Sequence, residues 1–103
     1  MQFKRLHNIT GNDPALNRRI ASIFLSELES FRKNLDAYIK DGNKEDLKSM
    51  IFKLSPSFII FEKDLLVKQL ESIADINNHE QLEGIQKELD ALHEALAQFL
   101  ASL

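Results

Sequence analysis

The chain of 103 residues has no cysteine and no tryptophan, only two prolines and three glycines, and no apolar run longer than a few residues. The missing cysteine excludes structural disulfides, thiolate metal sites and thiol catalysis, and it permits a reducing compartment. Three glycines and two prolines are too few to punctuate a series of hairpins, and no alternating apolar–polar pattern lasts long enough for a half-buried strand. A membrane-spanning helix needs roughly 20 apolar residues, and no charged-then-apolar segment opens the chain. A soluble cytoplasmic protein is the expectation. There is also no basic stripe: 13 Lys and Arg are interspersed with 16 Asp and Glu, for a formal charge of -3. Nucleic acid is therefore not an expected partner. At this length one domain over residues 1–103 is expected, large enough to bury a core without metal or disulfide support.

What the chain does have is helical periodicity. Phe3 to Ile9 can form a short helix, with Phe3, Leu6 and either Ile9 or His7 spaced to lie across the end of a larger assembly. Thr10-Gly-Asn-Asp-Pro14 reads as a stop followed by a start: Gly11 can end a turn, Asp13 can cap free amides and Pro14 suits a first helical position. From Pro14 to about Lys40 a seven-residue rhythm of Leu16, Ile20, Phe24, Leu28, Phe31, Leu35 and Tyr38 or Ile39 predicts a long amphipathic helix. Asp41-Gly-Asn43 ends it through Gly42 and opens the next helix, with Asn43 as cap and Asp46 in the first turn.

The following stretch, Asp46 to Phe61, is the least ordinary. Leu47, Ile51, Leu54, Phe58 and Phe61 alternate in spacings of four and three and form one buried stripe. Phe52 and Ile59 fall outside it and point outward beside Ser49, Ser55 and Pro56. Pro56 removes one backbone hydrogen bond to Phe52 and predicts a kink or a loosened turn. Glu62 to about Ile76 carries a shorter stripe of Leu66, Leu70 and Ile73. Asn78 and Gln81 have capping-box spacing, and from about His79 to Leu103 a last helix aligns Leu82, Ile85, Leu89, Leu92, Leu96, Phe99 and Leu103. Four long helices with one apolar stripe each predict an all-α fold, an antiparallel four-helix bundle with a short additional N-terminal helix.

These segments carry a resemblance. Leu6 with Thr10-Gly-Asn-Asp-Pro14, the core positions Phe24 and Leu28, and the Asp41-Gly-Asn43 turn resemble the first half of histidine-containing phosphotransfer (HPt) domains of bacterial two-component phosphorelays. That family's site reads Asp-Leu, four residues, His, any residue, Leu, Lys, Gly, Ser, or in one variant His-Lys-Leu followed by Pro-Ser-Phe. Here Asp46-Leu47 is followed by Lys48-Ser-Met-Ile51 and then Phe52-Lys53-Leu54-Ser55-Pro56-Ser57-Phe58. In this register Phe52 stands where the phosphorylated histidine would be. A second register puts Met50 there but leaves the apolar stripe out of phase. The resemblance runs from Leu6 to about Ile73, and the last helix agrees only in length and amphipathicity.

The resemblance implies an HPt-like fold, and the departures imply a lost activity. A phosphoramidate needs an imidazole nitrogen, and neither phenylalanine nor methionine is a nucleophile. Ser55 replaces a lysine that helps neutralise the phosphoryl group, Pro56 replaces a glycine that gives clearance, and Glu62 occupies a later glycine position. The expectation is a non-catalytic domain that binds a response-regulator receiver domain or a histidine kinase through Lys48, Ser49, Phe52, Lys53, Ser55, Pro56 and Ile59. No catalytic residue, no cofactor and no metal are expected, and a monomer is favoured. The plainer reading is that Phe52 and Ile59 are covered by the N-terminal segment or by a bend at Pro56. Two further alternatives remain: a phosphocarrier using His7, His79 or His93, and a structural domain that self-associates through Phe52 and Ile59. His7, His79 and His93 share no helical face with ligand spacing. Glu27 with Glu29 and Glu45 with Asp46 read as solvated helix faces, and Ser49, Ser55 and Ser57 have no neighbouring histidine base.

Overall fold

The computed structural model describes residues 3–76 and 81–103. The described residues form five helices and no strand: α1 (Lys4–Thr10), α2 (Pro14–Lys40), α3 (Lys44–Ile60), α4 (Asp64–Ile76) and α5 (Leu82–Ser102). The all-α expectation is met. Among the described residues no helix is long and apolar enough to cross a membrane.

Each junction has a local chemical reason. The Asp13 carboxylate accepts from the Ala15 and Leu16 amides, ahead of Pro14 at the first helical position. Asn43 accepts from the Asp46 amide while its own amide donates to the Asp46 carboxylate at 2.7 Å. At the end of α2, Gly42 adopts φ +66° and the Asn43 amide returns to the Tyr38 carbonyl at 3.0 Å. The same closure ends α3, where the Lys63 amide reaches the Phe58 carbonyl at 2.8 Å and Glu62 takes the left-handed position at φ +63°. Glu62 therefore terminates α3 rather than starting α4. The helix expected from Glu62 begins at Asp64, because a left-handed residue cannot continue a right-handed helix. A glycine would hold this conformation without the Cβ penalty. Glu62→Gly is accordingly expected to raise the unfolding free energy by about 0.5–1 kcal/mol. Urea titration checks it: the midpoint should rise at constant slope, and a lower midpoint would refute the assignment.

Packing follows the apolar stripes. α2 lies between α3 and α5, α4 contacts the same two helices, and α1 rests on α2. Three polar pairs run down the α2–α5 seam: Glu29 with His93, Arg32 with Asp90 and Asp36 with Gln86. Residue numbers rise on one helix as they fall on the other, so the two are antiparallel. α3 is antiparallel to α2 because only residues 41–43 join them and Phe24, 16 residues before the turn, meets Phe58, 14 residues into α3. The molecule measures 41 × 20 × 18 Å. Its long axis matches the 27 residues of α2 at 1.5 Å each, about 40 Å.

The core contains the expected Leu47, Ile51, Leu54 and Phe58 of α3 and Phe61 just past its end, together with Leu66, Leu70 and Ile73 of α4 and Ile85, Leu89, Leu92 and Leu96 of α5. Leu82 and Phe99 are half-buried against it. α3 runs unbroken through Pro56. Two positions of α2 differ from the heptad reading. Leu16 is 40% exposed, while Asn17 is buried at 2% and Ala21 fully so. Counted back in heptads, Phe24 and Leu28 lead to Asn17 and Ala21, the residues that are buried, whereas Leu16 is reached from Phe24 by two successive steps of four, which at about 100° per residue turn it about 80° away from the core. Ile39 rather than Tyr38 fills the far end. The proposed Asn78–Gln81 capping box and the expected start at His79 lie outside the described residues.

α1 closes one end. Phe3 and Leu6 are fully buried and Ile9 faces out, so of the two residues expected to follow Leu6 inward, His7 is the one half-buried. Phe3 stands edge-on to Phe61 at 4.9 Å and to Phe99 at 5.2 Å. Buried Asn17 is satisfied from α1: its Oδ1 lies 2.5 Å from the Thr10 hydroxyl, and its amide nitrogen meets His7 Nδ1 at 3.2 Å. Burying a polar group without such partners would cost about 1–3 kcal/mol.

Candidate functional site

The outer face of α3 carries the residues singled out by sequence. Phe52 is 83% exposed, which makes it the most exposed large apolar side chain described, and Ile59 is 43% exposed. Neither is buried by the N-terminal segment, although Arg5 of α1 donates to the Ile59 carbonyl at 3.0 Å, and the helix does not bend them inward. Lys48, Ser49, Lys53 and Pro56 are exposed around them. At about 100° per residue, Lys48, Ile59 and Phe52 line one side of this face, with Pro56, Ser49 and Lys53 progressively further round. Ser55 is set apart. It is half-buried, and its hydroxyl donates to the Ile51 carbonyl at 2.6 Å, within its own helix.

Phe52 also forms the lip of a shallow groove between α3 and α4, lined by Lys48, Ile51, Phe52, Glu71 and Ala74. The floor is apolar, and a lysine and a glutamate mark its sides. Such a groove can seat an apolar side chain of another molecule, and its one carboxylate is that of Glu71. Met50, the residue of the competing register, is half-buried and packs against the core, so of the two positions only Phe52 is presented to solvent.

The histidines are elsewhere. His93 Nε2 lies 2.9 Å from a Glu29 carboxylate oxygen on the α2–α5 seam, and the His7 ring stands 6.0 Å from Phe99. His79 lies outside the described residues. Among the described residues no group of three His, Asp or Glu side chains is placed to hold a metal ion. The seam pairs are at least partly exposed, and exposed pairs contribute about 0–1 kcal/mol each, so they serve chiefly to fix the register of α5 on α2.

Four exposed large apolar residues were not in the sequence-based site: Ile9, Leu16, Ile23 and Leu65. Leu16 and Ile23 lie one heptad apart on α2, and Ile23 is 54% exposed. The signal that could have found them is the lack of any carboxylate between Asp13 and Glu27. No family model, curated protein or solved structure matches the chain.

Proposed function

We propose that the chain is a non-catalytic, HPt-like four-helix bundle. It docks a response-regulator receiver domain or a histidine kinase through the face around Phe52 and carries no phosphate there. The observation that supports this is a phenylalanine 83% exposed in mid-helix, at the position where the resemblance puts a phosphoacceptor histidine. Exposed aromatics are enriched where proteins meet. An apolar ring at that point preserves contact area for a partner while removing the nucleophile. Such a domain would sequester or scaffold a signalling partner in the cytoplasm, as a monomer.

Calorimetric titration against the receivers and kinases of the same organism tests this. Phe52→Ala is expected to cost about 2 kcal/mol of binding, near thirtyfold, without lowering the melting temperature. Absence of binding, or binding that ignores Phe52→Ala, rejects the reading. Phe52→His reports on the rest of the site: phosphotransfer gained would mean that only the nucleophile had been lost.

One observation favours a second reading. The imidazole of His93 is oriented by Glu29, an arrangement that could serve a phosphocarrier. Acid-labile label acquired from a phosphorylated receiver and lost in His93→Ala would replace the first reading with this one.

A further inference from the structure

α1 is joined to α2 by a hinge of three residues, Gly11, Asn12 and Asp13. Gly11 and Asn12 both take φ +63°, a left-handed pair that folds α1 back across the end of its own bundle. Glycine takes this conformation at no cost, whereas the Cβ of Asn12 strains it. Asp13 is already extended, at ψ 113°, as a residue before proline prefers, and Pro14 disfavours one straight helix through α1 and α2. Opening the hinge therefore means straightening Gly11 and Asn12 alone. It breaks two backbone bonds, from the Asn12 amide to the His7 carbonyl and from the Asp13 amide to the Thr10 carbonyl.

The socket that α1 fills combines a polar and an apolar part. The side chain of buried Asn17 bonds to Thr10 and His7 of α1, and Arg5 bonds to Asp64 and to the Ile59 carbonyl. Beside them Phe3 sits against Phe61 and Phe99. Four of the six exposed large apolar residues lie at this same end: Ile9 and Leu16 flank the hinge, and Ile59 and Leu65 flank the α3–α4 turn that Arg5 grips.

We propose that α1 exchanges between two copies of this chain, so that the socket at the end of each bundle is filled by the α1 of the other. The occupant is a second copy because α1 is the segment that fits the socket, and every contact it makes there is available identically from another chain. A short hinge under strain favours such exchange. Three extended residues reach about 10 Å, which holds the two bundles end to end. That arrangement brings Ile9, Leu16, Ile59 and Leu65 of both copies together and leaves Phe52 open. In dilute solution the folded-back hinge prevails, because closure within one chain loses no translational freedom. The exchange does not depend on reading the Phe52 face as a docking site.

The test unfolds a mixture of isotope-labelled and unlabelled chains in urea, refolds it at micromolar and at millimolar concentration, and separates the products by size exclusion. Expected is a dimer at the higher concentration, with nuclear Overhauser contacts between Phe3 of labelled chains and Phe99 of unlabelled ones. Asn12→Gly relieves the folded-back hinge and should lower the dimer association constant about tenfold, whereas Phe52→Ala should leave it unchanged. A monomer at every concentration overturns the exchange. A dimer whose Phe3–Phe99 contacts stay within one chain, or one lost in Phe52→Ala, overturns it too, since either is a pairing of closed bundles. Equal dimerisation of Asn12→Gly and the wild type overturns the hinge as its cause.

Discussion

Phe24→Ala is expected to lower the unfolding free energy by about 3–5 kcal/mol, whereas Phe52→Ala should change it by no more than about 0.5 kcal/mol. Both are phenylalanines in mid-helix, and burial separates them. Phe24 is 1% exposed, edge-on to Phe58 at 5.3 Å and stacked on Phe61 at 5.1 Å. Truncation removes its burial, leaves a cavity between α2 and α3, and breaks two aromatic contacts of about 0.5–1.5 kcal/mol each. A domain of this size has about 5–15 kcal/mol in total, so the variant should sit near the edge of folding. With no tryptophan in the chain, urea unfolding followed by circular dichroism is the suitable measurement. Similar losses at the two positions would mean that the core is not where the aromatic contacts put it.

Phe3→Ala is expected to detach α1 while α2 to α5 stay folded. Seven residues are too few for an independent helix, since isolated helices shorter than about 12–15 residues are marginal in water. α1 is helical because it is held. Phe3 and Leu6 are fully buried, and Arg5 donates to the Ile59 carbonyl at 3.0 Å and pairs with Asp64 at 2.5 Å. Losing Phe3 removes about 3–5 kcal/mol of burial and edge contact. That exceeds what the exposed Arg5 pair can replace, at about 0–1 kcal/mol. Hydrogen exchange reads the outcome directly. The amides of α1 should lose protection, those in the middle of α2 should keep it, and Asn17 should lose its partners from Thr10 and His7. Retained protection in α1 alongside a global loss of stability would show that α1 belongs to the same cooperative unit as the rest.

The division of α3 into a buried and an exposed side was fully legible in the sequence. A stripe at spacings of four and three leaves no doubt about which residues share a face, and the two large apolar residues off the stripe were visible as misfits. The helix starts at Pro14 and Asn43 were legible for a similar reason, because caps act over three or four residues. The outward face around Phe52 was thus read from sequence almost completely. Ser55 is the exception: its hydroxyl turns back onto its own helix, a choice between solvent and the Ile51 carbonyl that spacing cannot reveal. The exposure of Leu16 was hidden because Leu16 and Ile20 had been assigned to the core by rhythm.

Helical class, caps and the inward face of each amphipathic segment are short-range properties, set by neighbours within a turn or two along the chain, and reading the residues in order was enough to obtain them. The inward position at the start of α2 depended instead on contacts between segments. Asn17 replaces Leu16 there because Thr10 and His7, on another helix, supply the hydrogen bonds that make a buried amide tolerable. Glu62 is left-handed because Phe58 and Ile59 offer their carbonyls to close α3, although a glutamate does not announce that conformation. The flank bearing Leu16 and Ile23 is open because α3 and α5 close the core around α2 without covering it. An apolar stripe states that it must be buried, but which edge of it stays in water is settled only when the neighbouring helices are in place.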